Sequence, residues 1–418
     1  VSGITTFGGA VNLPSTSGNV ITAGKLGIGF TDTNVKIGNT ALDSLTTGTN
    51  NVGVGQEALT ASTTGYRNVA VGIRAAKTIT TGNSNVAIGY ECLEFTTTGS
   101  QNVAVGHQAL EANTTADGNI AIGNAAMVSN TTGNNNIAIG AMALDANTTG
   151  SQSVAIGSNA LGSQNADVKN VAVGYRALQG TTSGTSNVGM GRDVLYTNTT
   201  GSYNIAIGND ALGNNTTANN NVAVGYNCLA ANTTGAGSVA LGYEALVANT
   251  TGSGCVAIGF RALKTSTTNT DNVAVGYEAL EACTSGKNVA VGWNALKADS
   301  GAVYCTALGF DALAHQTGTR SHNTAVGNRA MQAVVTANSN TAVGSECMYS
   351  STSGEQNAAV GKGALYTNTT GSNNVAIGKD ALYLNTTGST NIAVGRSALA
   401  QNTTASNNVA IGDNSLNA

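Results

Sequence analysis

The chain has 418 residues, of which only 9% are charged and 4% are aromatic, whereas 55 are glycine and one is proline. A hydrophobic share of 41% with a single proline excludes an intrinsically disordered chain, and collagen would need far more proline. The net charge of −4 offers no basic surface for nucleic acid, and no apolar run approaches the roughly 18 residues of a membrane-spanning helix.

Residues 1–33 do not follow the repeat that occupies the rest of the chain. They contain Pro14 and a short glycine-rich echo of the repeat at residues 25–30. Because a stacked array needs an atypical end to protect its terminal edge, we expect this segment to be an irregular cap or a remnant of an upstream piece. The last repeat stops at Ala418, so we expect the chain to continue or polymerise beyond this residue.

From residue 34 onward, a VAVG-like or IAIG-like motif recurs 23 times with a period of 17 residues. The interval between motif glycines departs from this value only twice, with 16 residues before Gly292 and 18 before Gly327. Such regularity indicates that residues 34–418 form one continuous array rather than several globular domains. We number the positions of a repeat from 1 to 17, starting at the residue before the strand motif, so that Asn102 occupies position 1.

Val or Ile alternates with Ala at positions 2 to 4, which predicts a short β-strand with Val and Ile on one face and Ala on the other. Position 9 is Leu or Met in 22 of 23 repeats and Ala76 in the other, which indicates a buried site. The invariant glycine at position 5 indicates a positive φ or a close approach of another backbone. Asn-Thr-Thr-Gly is typical of a turn. The sequence therefore predicts an all-β array of 17-residue units, either a β-solenoid or β-roll or a series of stacked β-hairpins.

The two faces of this strand raise the question of what covers each of them. We expect Val and Ile to fill the coil together with the leucine of position 9, which leaves the alanine of position 3 as a flat strip. Alanine occupies that position in 20 of 23 repeats, and an apolar strip on a strand needs cover. We therefore predict a homo-oligomer of three or four chains that pack along the alanine strip. The alternative is that the alanine side packs within the same coil.

Asparagine occupies position 1 in 19 of 23 repeats. Identical amides stacked at strand spacing form ladders that bond the copies above and below. The predicted ladder includes Asn51, Asn68, Asn85, Asn102, Asn119, Asn136, Asn170, Asn187, Asn204 and Asn221.

A second asparagine, at position 12, opens the Asn-Thr-Thr segments. Asn-x-Thr is the acceptor sequence for N-glycosylation and belongs on exposed loops of secreted proteins. The alternative is that the segment is simply a good turn that was copied with the repeat. The candidate sites are Asn113, Asn130, Asn147, Asn198, Asn215, Asn232, Asn249, Asn368, Asn385 and Asn402; Asn214 also fits the acceptor sequence.

Position 6 favours aromatic residues, and position 7 is charged in 13 of 23 repeats. We expect both to form a solvated edge, with the alternative that the aromatic row stacks on sugar rings. The aromatic residues at position 6 are Tyr90, Tyr175, Tyr226, Tyr243, Phe260, Tyr277, Trp293 and Phe310.

No motif in the chain indicates catalysis, a cofactor or a metal site. The three histidines are scattered among the repeats, and the repeated glycine motif lacks the pattern of a phosphate-binding loop. Three of the six cysteines, Cys92, Cys228 and Cys347, replace the alanine before the buried leucine. We expect these to be small core residues rather than disulfide partners or zinc ligands.

The unit Asn-Val-Ala-Ile-Gly-x-x-Ala-Leu resembles the Ser-Val-Ala-Ile-Gly head repeats of trimeric autotransporter adhesins (YadA-like heads). The longer unit, which ends in Asn-Thr-Thr-Gly-Ser-Asn, resembles repeats of phage tail-fibre-like and other secreted fibrous proteins, and residues 24–31 are similar to the stretch that often precedes such arrays. The resemblance covers about residues 25–418. It implies an extracellular β-roll, wound as a trimer in the adhesins, that binds extracellular matrix. The period of 17 is longer than that of the adhesin repeats.

These observations together predict an extracellular structural protein, a subunit of a rigid homo-oligomeric fibre or surface appendage that may polymerise end to end. The alternative is an adhesin or tail-fibre-like module that recognises glycans or a host surface. Ice binding through threonine rows is a third class, but adjacent threonines in a turn point to different sides. We expect no enzyme activity, no cofactor, no nucleic acid partner and no membrane insertion.

Overall fold

The structure is a computed structural model that describes residues 33–166, 168–316 and 321–417. Within these ranges the chain contains strands and turns but no helix. The strands are β1 (Val35–Ile37), β2 (Val52–Val54), β3 (Val69–Val71), β4 (Val86–Ile88), β5 (Val103–Val105), β6 (Ile120–Ile122), β7 (Ile137–Ile139), β8 (Val154–Ile156), β9 (Val171–Val173), β10 (Val188–Met190), β11 (Ile205–Ile207), β12 (Val222–Val224), β13 (Val239–Leu241), β14 (Val256–Ile258), β15 (Val273–Val275), β16 (Val289–Val291), β17 (Thr306–Leu308), β18 (Thr324–Val326), β19 (Thr341–Val343), β20 (Ala358–Val360), β21 (Val375–Ile377), β22 (Ile392–Val394) and β23 (Val409–Ile411). The N-terminal cap expected at residues 1–33 lies, except for Thr33, outside the described residues.

Each strand pairs in parallel with the strand of the next repeat, so that residues one repeat apart face each other. Val103 of β5, for example, pairs with Ile120 of β6. This arrangement is a β-solenoid with one strand per coil, and it excludes stacked hairpins because the strands of a hairpin pair antiparallel. At about 4.8 Å per layer, the steps from β1 to β23 span roughly 105 Å.

Hydrogen bonds join adjacent coils in the turns as well as in the strands. In the coil that starts at Asn102, the N–H of Gly106 donates to the previous coil at the carbonyl of Ile88, 2.8 Å away. The N–H of Leu110 donates to the next coil at the carbonyl of Ala126, 3.0 Å away. Because the backbone is bonded to neighbours on both sides around the coil, one repeat depends on the next for its stability.

The alanine face of the strand, and not the Val and Ile face, points into the coil. Ala104 is fully buried, whereas Val103 and Val105 on either side of it are partly exposed, and this pattern recurs along the sheet. The expectation that Val and Ile fill the coil is therefore wrong, and so is the expectation that another chain covers the alanine strip. The alternative, that alanine packs within its own coil, is the observed arrangement.

The distance between the strand and the leucine of position 9 explains this choice. Where position 3 is a glycine, a Cβ added to Gly53 would lie 3.2 Å from Cγ of Leu42, and one added to Gly189 would lie 3.0 Å from Cδ1 of Leu178. The space between strand and leucine therefore holds one methyl group and no more. A β-branched side chain at position 3 would overpack the coil, so the larger side chains of the strand stay outside.

The predicted burial of position 9 is confirmed in every coil but the last, where Leu416 is exposed. The coil that carries Ala76 instead of Leu buries Ile79 at position 12, where most coils place a polar residue. In this coil the large apolar side chain lies at position 12 instead of position 9, so the buried apolar volume is nearly conserved.

The invariant glycine of position 5 is required on both of the predicted grounds. Gly106 has φ +136°, and a Cβ added to it would lie 2.5 Å from the carbonyl oxygen of Gly123 in the next coil. Positions 7 and 9 also adopt positive φ, as at Gln108 (φ 55°) and Leu110 (φ 53°), which side chains other than glycine rarely do. This left-handed leucine recurs from coil to coil, held by its burial and by the hydrogen bond that its N–H donates to the next coil.

Candidate functional site

The asparagines of position 1 form one buried column inside the coils. The N–H of Asn68 donates to Oδ1 of Asn51 at 2.9 Å, and Nδ2 of Asn68 donates to the carbonyl oxygen of Gly82, in the turn of its own coil, at 2.8 Å. Some members also bond side chain to side chain, as Asn85 does to Asn68 at 3.1 Å. The column therefore joins each coil both to its neighbour and across its own interior. All ten predicted members lie in it and are buried: Asn51, Asn68, Asn85, Asn102, Asn119, Asn136, Asn170, Asn187, Asn204 and Asn221.

The asparagines of position 12 form a second interior column, in place of the exposed loop that N-glycosylation needs. Nδ2 of Asn130 donates to Oδ1 of Asn113 at 3.2 Å and to the carbonyl oxygen of Gly133 at 3.1 Å. Nδ2 is the atom that carries an N-linked sugar, and here it is buried and hydrogen-bonded. Nine of the candidate sites are fully buried, namely Asn113, Asn130, Asn147, Asn198, Asn215, Asn232, Asn249, Asn368 and Asn385, and Asn402 is half-buried.

This burial argues against a column of glycans on the folded protein. The sequence carried the signal for the second ladder, since one amide recurs at the same position in neighbouring repeats. Its coincidence with a glycosylation acceptor sequence obscured it. Asn214, one residue before Asn215, is exposed.

Six aromatic side chains of position 6 stack on each other from coil to coil. Their ring centroids lie between 4.1 Å and 6.5 Å apart, with interplanar angles of 20° or less. Because each inner ring uses both faces on its neighbours, mainly ring edges are left for a ligand. This geometry does not favour the alternative that the row stacks on sugar rings. The six residues are Tyr226, Tyr243, Phe260, Tyr277, Trp293 and Phe310.

The remaining aromatic side chains contribute shorter stacks. Tyr90 stacks on His107 at a centroid distance of 5.4 Å, and the guanidinium of Arg176 lies 5.0 Å from the ring centroid of Tyr175. A further column at position 10, which the sequence analysis missed, consists of Tyr349, Tyr366 and Tyr383.

Several charged side chains of position 7 pair with opposite charges one repeat away. Arg74 lies between two carboxylates, at 2.9 Å from Glu91 and 3.6 Å from Glu57. Hydrogen bonding to Lys77 lowers the pKa of the Glu57 carboxyl. These partly exposed pairs align successive coils but contribute little to stability individually.

One group of three carboxylates lies close enough to be considered for a metal ion. Ligand atoms of Glu91, Glu94 and Glu111 all lie within 4.8 Å of one another. Arg74 already neutralises Glu91, and burial raises the pKa of both Glu94 and Glu111. The group is therefore short of the negative charge that a divalent cation requires.

The Val and Ile side chains form a long apolar surface on the outside of the solenoid. We define the outer sheet face as positions 2 and 4 of strands β1 to β23. Position 4 is a large apolar residue in all 23 strands, position 2 is Val or Ile in 19, and neither position holds a charge. Exposure reaches 41% at Ile88 and 44% at Ile377. An uncharged, apolar surface of this length is unusual on a protein that stays alone in water.

No protein-family model matches the chain, and no curated protein is significantly similar to it. Among the described residues, no helix has the length and hydropathy needed to cross a membrane. The six cysteines are buried and free.

Proposed function

We propose that this protein is an extracellular structural protein, a subunit of a rigid homo-oligomeric fibre or surface appendage. The observation that carries the proposal is the combination of one continuous parallel sheet, roughly 105 Å long, with an apolar outer face along its whole length. A long solenoid bonded from coil to coil resists bending, and an apolar face that runs along it favours lateral association.

The orientation of the strand determines which surface a second chain can cover. The alanine strip lies inside the coil and needs no second chain. The outer sheet face now takes its place as the surface that another chain would cover, and it offers larger side chains than alanine does.

The extracellular part of the proposal rests on the resemblance of the repeat to adhesin heads and to tail-fibre-like proteins. A protein outside the cell has no chaperones that refold it. The interior columns of uncharged amides and the partly exposed ion pairs join successive coils, which suits such a protein. If the protein carries N-linked sugar, the exposed Asn214 is the acceptor that this proposal favours.

One observation favours the alternative, a module that binds glycans or a host surface. An open groove of about 510 Å³ runs beside the tyrosine column at position 10 and is lined by Lys362, Tyr366, Lys379, Asp380 and Tyr383, among others. Charged side chains beside aromatic rings are common in polar-ligand sites. The two readings are compatible, because a fibre can also adhere.

Electron microscopy of the purified protein tests the structural proposal. We expect straight rods of roughly 105 Å or longer filaments built from them. Compact globules would overturn the proposal. A glycan array probed with the same preparation distinguishes the two functions, since rods without any glycan signal favour the purely structural one.

A further inference from the structure

We propose that the outer sheet face binds the same face of a second copy of this chain, so that the fibre is built from pairs of solenoids packed sheet against sheet. This inference deepens the proposed function and rests on it, because it names the surface through which the subunits associate. It replaces the three or four chains expected around an alanine strip with two chains that share one apolar layer.

The area of the face is large enough for a stable pair. Each strand has three residues and is about 10 Å long, at about 3.3 Å per residue. Stacked over roughly 105 Å, the strands form a strip of about 1,000 Å². This exceeds the largest apolar patch of a typical monomer, about 300–600 Å², and the roughly 800 Å² that each partner contributes to a standard interface. Water contact along the strip is therefore costly for a lone chain, and one partner of the same length removes it.

The chemistry of the strip and of its border fits an interface. Positions 2 and 4 contribute only Val, Ile, Leu, Met, Thr and Ala. The adjacent position 17 is mostly polar, with residues such as Arg67, Gln101 and Lys287. An apolar centre with a polar border is the usual anatomy of a protein–protein contact. The one charged residue within the strands, Lys36 at position 3, is engaged by Asp43 at 2.5 Å.

The spacing of the side chains identifies a second copy as the partner. The Val and Ile columns repeat at the strand spacing of about 4.8 Å for 23 layers. A partner that packs against every layer must present ridges with the same spacing over the same length, and this chain meets both conditions by itself. Two flat sheet faces stack about 10 Å apart, which lets the side chains of both faces interdigitate.

Charges placed on the face test the pairing. The first variant carries Ile207→Lys, Val224→Lys and Leu241→Lys, three adjacent layers at position 4. The matched control carries Thr217→Lys, Thr234→Lys and Thr251→Lys, which are exposed at position 14 of neighbouring coils. Both variants gain the same charge, and the substituted side chains are outside the core in both.

Light scattering coupled to size-exclusion chromatography measures the mass. The wild type and the control are expected at twice the chain mass of 41.4 kDa, and the face variant at 41.4 kDa with an unchanged circular dichroism spectrum. The dissociation constant of the face variant should rise at least about 100-fold, because lysines buried without partners oppose association.

Several outcomes would overturn the pairing, and they are distinct from failure of the proposed function. A trimeric wild type, or a face variant that stays as associated as the control, rejects this interface but leaves a homo-oligomeric fibre standing. A monomeric wild type that forms rods rejects the pair. If that monomer floats with phosphatidylcholine vesicles and the face variant does not, the outer sheet face binds a lipid surface instead. A monomer that forms no rods rejects the proposed function itself.

Discussion

The interior column at position 12 differs between two regions of the same solenoid. From Asn198 to Asn249 it is an unbroken amide ladder, in which each Nδ2 after the first donates to the Oδ1 of the previous coil at 2.8–3.0 Å. In later coils the same position holds Cys283, Asp299 and Gln316, and the short and long repeats occur there as well. In the first region the same residue and the same hydrogen bond recur from coil to coil, whereas in the second region successive coils place different residues at this position.

Asp299 shows how the irregular region satisfies a buried carboxylate. Its Oδ1 accepts from the N–H of Ala302 at 2.9 Å, and its Oδ2 accepts from Oγ of Ser285 at 3.1 Å and from Nδ2 of Asn288 at 3.2 Å. Burial nevertheless raises the pKa of the Asp299 carboxyl, although the backbone donors oppose that shift. The comparison teaches that the column does not require asparagine, and that a buried carboxylate in it is held by donors from its own coil and the neighbouring coil.

Breaking the regular ladder should have the largest effect. Asn232→Ala removes the donor to Oδ1 of Asn215 and the acceptor of Nδ2 of Asn249. Together with the cavity, this should lower the free energy of unfolding by about 2–4 kcal/mol. Urea unfolding followed by circular dichroism measures the loss.

The control for that prediction is another buried residue of position 12. Oγ of Ser351 is buried and has no hydrogen-bond partner. Ser351→Ala should therefore change the free energy of unfolding by less than about 0.5 kcal/mol. Equal losses in the two variants would mean that the ladder contributes nothing beyond packing.

Restoring the usual residues in the coil of Ala76 should have an intermediate effect. Ala76→Leu alone overpacks a coil that already buries Ile79, at a cost of about 1–3 kcal/mol. Adding Ile79→Asn should recover most of this loss, because the double variant has the same pair as the regular coils and its amide faces the unpaired Oγ of Ser62 one coil away. Thermal and urea unfolding of the two single variants and the double variant measure the coupling between the two substitutions. Losses of unfolding free energy that simply add would disprove this coupling.

Converting the irregular region towards the regular one should have the smallest effect. Because the pKa of Asp299 is raised on folding, its contribution to stability is most favourable below the ordinary pKa of aspartate and declines as the pH rises through the raised value. Asp299→Asn should remove that decline and stabilise the protein at pH 7 by about 1 kcal/mol. The measurement is the difference in unfolding free energy between variant and wild type from pH 3 to pH 8, and a difference that does not vary with pH would contradict the assignment.

The sequence was a good guide to features that depend on the repeat alone. The spacing of the motif glycines predicted one continuous array, and the restriction of position 9 to Leu and Met predicted its burial, as at Leu110. The glycine of position 5 was predicted to need a positive φ or a close backbone, and Gly106 has both. Each of these features is a property of one residue type repeated in register.

The sequence was a poor guide where one pattern has two physical meanings. Asn-Thr-Thr at Asn130 matches both a glycosylation acceptor and an interior amide with a turn, and only the burial of Nδ2 distinguishes them. The left-handed backbone of Leu110 has no signal in its residue type, since leucine is not a residue that favours positive φ.

By itself, the sequence determined the period, the strand at positions 2 to 4 and the residues that stack on their own copies. The tertiary structure decided which face of the strand is inside. Alternation with a period of two divides side chains between two faces but does not say which face is covered. The short distance from the strand at Gly189 to Leu178 of the preceding coil admits Ala and excludes Val, and this distance depends on how the coils close and stack. For that reason the apolar face that the sequence placed in the core lies on the surface, where we propose that it joins two chains.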